Sequence, residues 1–228
     1  MLPKIQKILY LVGTPIGNLE DITIRALKIL KQSDLILAES FRSITTLLKY
    51  HKIDYNQENI IEYDQKKVTL EEIKDFIINS NTLSYVSDAG MPVFMDPGEE
   101  LIYFCQQHQF EIKVIPGVSS LTTALVYSGL NGSFYFAGFP PRETFERIQF
   151  IKKLNQKPIP VVLFETPFRT RKLLEECKKF LNNEFYISIL MNLTTEKEKI
   201  INTKIKEVHK YFSIIEKEPV VIIIKNDK

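Results

Sequence analysis

The stretch that decides the fold is Lys7-Ile8-Leu9-Tyr10-Leu11-Val12-Gly13-Thr14-Pro15-Ile16-Gly17-Asn18. A short, largely apolar run passes directly into a turn that holds two glycines and a proline. A run of that length bounded by Gly and Pro reads as a buried strand. The glycines let the main chain turn tightly and approach a ligand. The turn is not G-x-G-x-x-G and lacks the lysine of a phosphate-binding P-loop. By its own pattern it is either a plain turn or a ligand loop.

Working outward, strand and helix patterns alternate. Residues 19–31 place Ile22, Ala26, Ile29 and Leu30 on one helical face, and 34–38 read as a second strand. Helices are expected over 41–50, 69–79 and 98–108, the second opened by the capping-box pattern T-L-E-E. Strands are expected over 59–62, 82–86 and 111–115. This alternation predicts βαβ units and a mainly parallel sheet. Pro116-Gly117 interrupts it. A helix over 119–127 follows, then strands over 133–137, 160–164, 184–190, 198–205 and 220–225, with helices over 144–154, 168–181 and 206–212. The closer spacing of the later strands predicts a mixed sheet. The fold class is therefore α/β in two domains, 1–117 and 118–228.

Composition narrows the function. The chain has 228 residues, 30 Lys+Arg, 28 Asp+Glu and 44% hydrophobic residues. That is neither a disordered nor a collagen-like composition. No apolar run approaches the roughly 20 residues that cross a bilayer, and the opening M-L-P-K-I-Q-K-I-L is too soon broken by Gly and Pro for a secretory signal. Cys105 and Cys177 stand far apart, which predicts free thiols and a cytoplasmic location. His51, His108 and His209 share no ligand spacing, so no metal site is expected. Residues 1–140 hold 12 basic and 16 acidic side chains, and residues 141–228 hold 18 and 12. The basic second half suits a polyanionic partner, or reflects a lysine-rich composition alone.

In an open parallel sheet, ligands bind beyond the carboxyl ends of the strands. The Gly/Pro/Ser/Asp-rich loops all fall at such ends. G-T-P-I-G-N follows the first strand, and Glu39-Ser40-Phe41-Arg42 the second. Ser87-Asp88-Ala89-Gly90-Met91-Pro92 follows the fourth, and Pro116-Gly117-Val118-Ser119-Ser120 the fifth. An aspartate beside a glycine can accept from a ribose hydroxyl or an ammonium, orient a reacting hydroxyl, or simply cap a turn. No catalytic triad, P-loop, H-E-x-x-H or Cys/His pattern appears. That leaves group transfer from a pre-activated donor, where the protein mainly positions two reactants.

The motifs L-Y-L-V-G-T-P-I-G-N-L-E-D-I-T (9–23), V-S-D-A-G-M-P-V-F-M-D-P-G (86–98), V-I-P-G-V-S-S-L (114–121), F-A-G-F-P-P-R (136–142) and F-E-T-P-F-R (164–169) resemble the tetrapyrrole methylase superfamily. This is the class III group of S-adenosylmethionine-dependent methyltransferases. The resemblance is to its branch that methylates small-subunit ribosomal RNA, and it spans nearly the whole chain.

It implies two α/β domains with S-adenosyl-L-methionine in a cleft between them, and a homodimer. The implied reaction is methylation of a cytidine ribose 2′-hydroxyl in small-subunit RNA, naked or in the assembled subunit, with no membrane partner, and on that reading Arg142, Arg147, Lys152, Lys153, Arg169 and Arg171 form an expected RNA track. Donor-binding positions implied are Pro15; Ser87, Asp88, Ala89 and Gly90; Ser119 and Ser120; Glu165 and Thr166; Met191, Asn192 and Leu193; and Pro219. Implied catalytic residues are Glu39 and Arg42 on the acceptor side and Asp88 on the donor side. Where relatives show E-D-T-R, this chain has Glu39-Ser40-Phe41-Arg42, and R-E-L-T-K is replaced by Met191-Asn192-Leu193-Thr194-Thr195. The acceptor half of the pattern thus departs more than the donor half. A tetrapyrrole acceptor and a non-catalytic RNA or ribosome binder are the alternatives.

Overall fold

The computed structural model describes residues 6–65, 67–215 and 218–226. The chain divides into two units, Met1–Ser119 and Ser120–Lys228.

The first unit runs β1 (Ile8–Val12), α1 (Ile24–Gln32), β2 (Leu35–Ala38), α2 (Phe41–Tyr50), β3 (Ile60–Glu62), α3 (Leu70–Asn79), β4 (Thr82–Val86), α4 (Glu99–Gln107) and β5 (Glu111–Ile115). The strands lie in the order β3-β2-β4-β1-β5, and every pairing is parallel. Helices cover both faces. Leu9, Leu11, Leu83 and Tyr85 pack with Ile73 and Ile77 of α3 and Leu101 of α4. Val12, Ile36 and Val86 pack on the other face with Ala26 and Leu30 of α1 and Ile44 and Leu48 of α2. Burial on both faces is why these strands read as continuous apolar runs.

Local chemistry sets the helix starts. In α3, the Glu72 carboxylate reaches back to the Thr69 amide at 2.7 Å, the return arm of the expected capping box. Helix α1 begins at Ile24, five residues later than its apolar periodicity suggests. The Thr23 hydroxyl accepts from the Ala26 amide at 3.1 Å, while Asp21 N donates to Asn18 O at 3.0 Å and closes a separate turn. The loop after β1 therefore extends through residue 23.

The second unit runs α5 (Ser120–Tyr127), β6 (Tyr135–Gly138), α6 (Thr144–Leu154), β7 (Val161–Glu165), α7 (Thr170–Phe180), β8 (Tyr186–Met191), β9 (Lys199–Lys204), a 3₁₀ segment Ile205–Tyr211 and β10 (Val220–Lys225). The short helix expected over 206–212 is this tighter turn. The sheet order is β6-β7-β10-β8-β9. Strands β6 and β7 pair parallel and the other three pairings are antiparallel, so the sheet is mixed.

Two members of the expected RNA track are structural instead. Arg147 is 3% exposed. Its Nε donates to Glu176 Oε2 at 2.6 Å, its Nη2 to Glu176 Oε1 at 2.8 Å and its Nη1 to Arg142 O at 2.6 Å. Arg169 Nη2 donates to Pro140 O at 2.7 Å and Pro141 O at 3.0 Å, and pairs with Glu165 at 3.2 Å. Both guanidiniums satisfy carbonyls of the Pro-Pro-Arg turn, a fork geometry that arginine alone supplies. Cys105 and Cys177 are free and buried, and burial pushes both thiols up to about 12.

Candidate cofactor and acceptor site

Three loops at the carboxyl ends of β1, β4 and β5 are sewn together by main chain. Thr14 N donates to Gly90 O at 2.9 Å and Gly90 N returns to Thr14 O at 3.2 Å. The Thr14 hydroxyl, in a residue 4% exposed, donates to Ser87 O at 3.1 Å. Gly13 and Gly117 lie backbone against backbone, since a Cβ on Gly13 would stand 2.7 Å from Gly117 N. Gly90 has φ +82°, a conformation glycine adopts without strain.

The loops after β1 and β4, the end of β2 and the start of α2 line a pocket of about 400 Å³, a volume suited to a small-molecule or nucleoside moiety. Pro15, Ser87, Asp88 and Ala89 line it, with Arg42, Ser43 and Thr46 on the α2 wall. Gly90 follows directly. Glu39 sits behind the lining: its Oε2 accepts from the Asp88 amide at 3.2 Å. Glu39 thereby braces the Asp88 main chain. The far side of the loop is tied to the end of α2, where Tyr50 Oη donates to Glu20 at 3.0 Å and His51 Nε2 lies 2.8 Å from Leu19 O.

The sequence reading assigned no role to Asp96. It lies in the segment Met91–Gly98, where Val93 and Met95 have φ of +72° and +63°. Such values are strained for side chains of this size. Tyr85 Oη donates to Pro97 O at 3.1 Å and pins the segment. Asp96 is exposed as a residue, yet its carboxyl is partly shielded from water. That desolvation, then the nearby Glu39 and Asp88 charges, raise it to about 6 against a partial lowering by the Ser87 hydroxyl. Ionising it therefore costs the folded state more than the unfolded chain. Stability conferred below pH 4 is lost as pH rises through 6. Asp96→Asn is expected to raise the melting temperature at pH 8 by a few degrees, about 1 kcal/mol after solvent screening, and to change nothing at pH 4. Melts at the two pH values check this.

In the second unit, register gathers the remaining candidates on one rim. Val220 pairs with Glu165 on one side and Met191 on the other, so Pro219, Thr166 and Asn192 follow along the same edge. Glu165 is 2% exposed and engaged by its own loop: Oε1 accepts from Thr166 N at 2.7 Å and Oε2 meets Arg169. Met191 and Leu193 direct their side chains into the core, at 0% and 6% exposure. Asn192 has φ +52°, and its Nδ2, like Glu165 Oε2 and Ser87 Oγ, is buried without a hydrogen-bond partner in the protein, which leaves it open to a ligand or a water. Its turn is clamped by Glu198, which accepts from Thr194 N at 2.7 Å and from Tyr127 Oη at 2.6 Å. The clamp is invisible in sequence because Tyr127 and Glu198 are far apart along the chain. Ser119 and Ser120 stand at the start of α5.

Among the described residues, no group of three His, Cys, Asp or Glu is placed to hold a metal ion, and no helix is long and apolar enough to cross a membrane.

A parallel sheet with glycine-bridged loops over a pocket, joined in one chain to a mixed sheet with a polar rim, defines a two-unit α/β protein of the small-molecule-dependent transferase type. The chain belongs to the tetrapyrrole (corrin/porphyrin) methylase family, whose model matches residues 8–209. It is 38% identical to ribosomal RNA small subunit methyltransferase I of Thermotoga maritima, over 90% of this chain and 91% of that protein. It is also 38% identical to the protein of the same name from Hydrogenobaculum sp., over 88% and 86%. Among solved structures it resembles a cobalt precorrin-4 methyltransferase, with TM-score 0.71, 18% identity and 98% and 97% coverage. That likeness shows the shared fold.

Proposed function

We propose that this protein is an S-adenosylmethionine-dependent methyltransferase of small-subunit ribosomal RNA, acting on a cytidine ribose 2′-hydroxyl. The observation that carries the reading is the pocket built from G-T-P-I-G-N, S-D-A-G and the start of α2, in a chain 38% identical over nearly its full length to proteins named for that RNA. The residues suit the donor. Asp88 offers a carboxylate to its hydroxyls or ammonium, Gly13 and Gly90 let main chain come close, and the orphaned Asn192 Nδ2 is a donor for one of its oxygens.

When bound, the donor supplies an activated methyl on a sulfonium, so no metal is required. The chain's own residues align and neutralise. Alignment alone contributes on the order of 7–11 kcal/mol. Asp88 orients the reacting hydroxyl or takes up its proton. Arg42, exposed on the pocket wall, holds an RNA phosphate or the developing negative charge. Glu39 fixes the Asp88 main chain and is a positioning residue. The working form is a cytoplasmic homodimer, a state that light scattering tests.

Glu198 shapes the Asn192 turn through Thr194. Glu198→Gln is expected to weaken donor binding about 5-fold, about the 1 kcal/mol by which a charged hydrogen bond exceeds a neutral one, with turnover at saturating donor unchanged. Calorimetry and a kcat/KM split check it. The reading as a whole is tested by calorimetry with S-adenosylmethionine together with label transfer to small-subunit RNA. Binding with transfer supports it; binding without transfer points to another acceptor; no binding points to a non-catalytic module.

A further inference from the structure

The polar rim occupies one end of the second unit's sheet. At the other end stands a concentration of lysines that the methyl-transfer chemistry does not use. Lys152 and Lys153 end α6, and Lys178 and Lys179 end α7. The two helix ends are tied: Asn155 Nδ2 donates to Phe180 O at 2.8 Å, and Asn182 N donates to Asn155 Oδ1 at 2.8 Å. Lys157 lies beyond α6. Lys204, at the end of β9, and Lys206 both donate to Glu184, at 2.9 and 2.8 Å. Seven lysines thus gather at this end, and two of them already share the Glu184 carboxylate.

Lysines at helix ends complement the helix dipole, which accounts for the four in α6 and α7. It does not account for Lys157 or Lys204, which lie outside the helices, nor for Lys206, which stands in the first turn of the 3₁₀ segment. Nor does it account for the rings among them. The ammoniums of Lys152 and Lys179 each lie 5.3 Å from the Phe180 ring. Lys157 lies 4.1 Å from Tyr135, and Lys204 5.2 Å from Tyr186. A cation resting on a ring is partly ordered before any partner arrives. The acids of α7 are used elsewhere, Glu175 by Arg171 and Glu176 by Arg147.

We propose that this lysine pole is a docking surface for the phosphate backbone of RNA, separate from the pocket that takes the reacting nucleotide. It deepens the ribosomal RNA reading and rests on it. A strand of five or six residues separates pole from rim, about 17–20 Å, so a backbone gripped there leaves the rim open. Repeated phosphates fit a row of point charges better than any single small anion would. The pole keeps Lys152 and Lys153 of the track expected from sequence, while Arg147 and Arg169 of that track brace the Pro-Pro-Arg turn.

The test uses the full chain and a small-subunit ribosomal RNA transcript. The quadruple variant Lys152→Gln, Lys153→Gln, Lys178→Gln, Lys179→Gln is compared with a control that removes as many exposed charges from the first unit, Lys28→Gln, Lys31→Gln, Lys49→Gln, Lys52→Gln. Circular dichroism and calorimetry with S-adenosylmethionine confirm that each variant folds and binds donor as the parent does. Loss of four phosphate contacts makes the log affinity–log salt slope shallower by about 3–4. Binding by the pole variant is expected to weaken at least about 10-fold at 50 mM salt, and the control by less than about 3-fold. Equal behaviour of the two variants overturns the pole while leaving the RNA reading intact. A parent protein with no salt-dependent RNA affinity overturns both. Tighter binding of the parent to vesicles of anionic lipid than to the transcript also overturns the proposal, in favour of a membrane surface.

Discussion

Gly13→Ala is expected to bind donor far more weakly and to melt well below the parent protein. The added methyl would stand 2.7 Å from Gly117 N, 2.7 Å from Met91 Sδ and 2.8 Å from Gly117 Cα. Met91 can swing its sulfur away, but Gly117 presents backbone and cannot. Relief requires the loops after β1 and β5 to part, which also strains the Thr14–Gly90 bridge that sews the first loop to the second. Overpacking of this kind costs about 3 kcal/mol, a fall in melting temperature of roughly 6–12 °C. Donor affinity falls by two orders of magnitude or more, because loops displaced by even an ångström no longer converge. Thermal melts and calorimetry with S-adenosylmethionine measure the two effects. A variant with parental melting temperature and donor affinity would show that the Gly13–Gly117 contact does not shape the pocket.

Asp88→Asn isolates chemistry from folding. The residue is exposed, and its main chain is held by Glu39 through the amide, so the exchange leaves the loop in place. Stability should stay within about 0.5 kcal/mol of the parent. Methyl transfer should fall by about 10²- to 10⁴-fold, the range for removing a positioned acid–base group. Single-turnover assays with saturating donor and RNA check it. A fall of less than threefold would remove Asp88 from the catalytic assignment and turn attention to Asp96, whose carboxyl titrates at about 6.

The strands of the first unit were legible in the sequence because burial on both faces writes itself as short continuous apolar runs. Ile8–Val12, Leu35–Ala38 and Thr82–Val86 could hardly be read otherwise. Helix α1 was misplaced at its start because Leu19 and Ile22 extend its apolar period backward, while the deciding signal was one hydroxyl, Thr23, capping Ala26. The loops of the site were visible as a one-sided excess of Gly, Pro, Ser and Asp. What they do to each other was not. Glu39 bracing Asp88, Thr14 bridging to Gly90 and Glu198 clamping the Asn192 turn all join residues distant in sequence, and local pattern carries no record of such contacts. The same holds for the cations. Arg147 and Arg169 have the composition of an RNA contact and the geometry of internal braces. The lysines of the pole are scattered over 152–206 and meet only because α6, α7 and β9 end at the same place.

The most direct measurement is mass mapping of ribose methylation after small-subunit ribosomal RNA, or the assembled subunit, is incubated with the purified protein and S-adenosylmethionine. A new 2′-O-methylcytidine, abolished by Asp88→Asn, is the expected result. Bound donor with every ribose left unmodified, in both RNA and subunit, would contradict it.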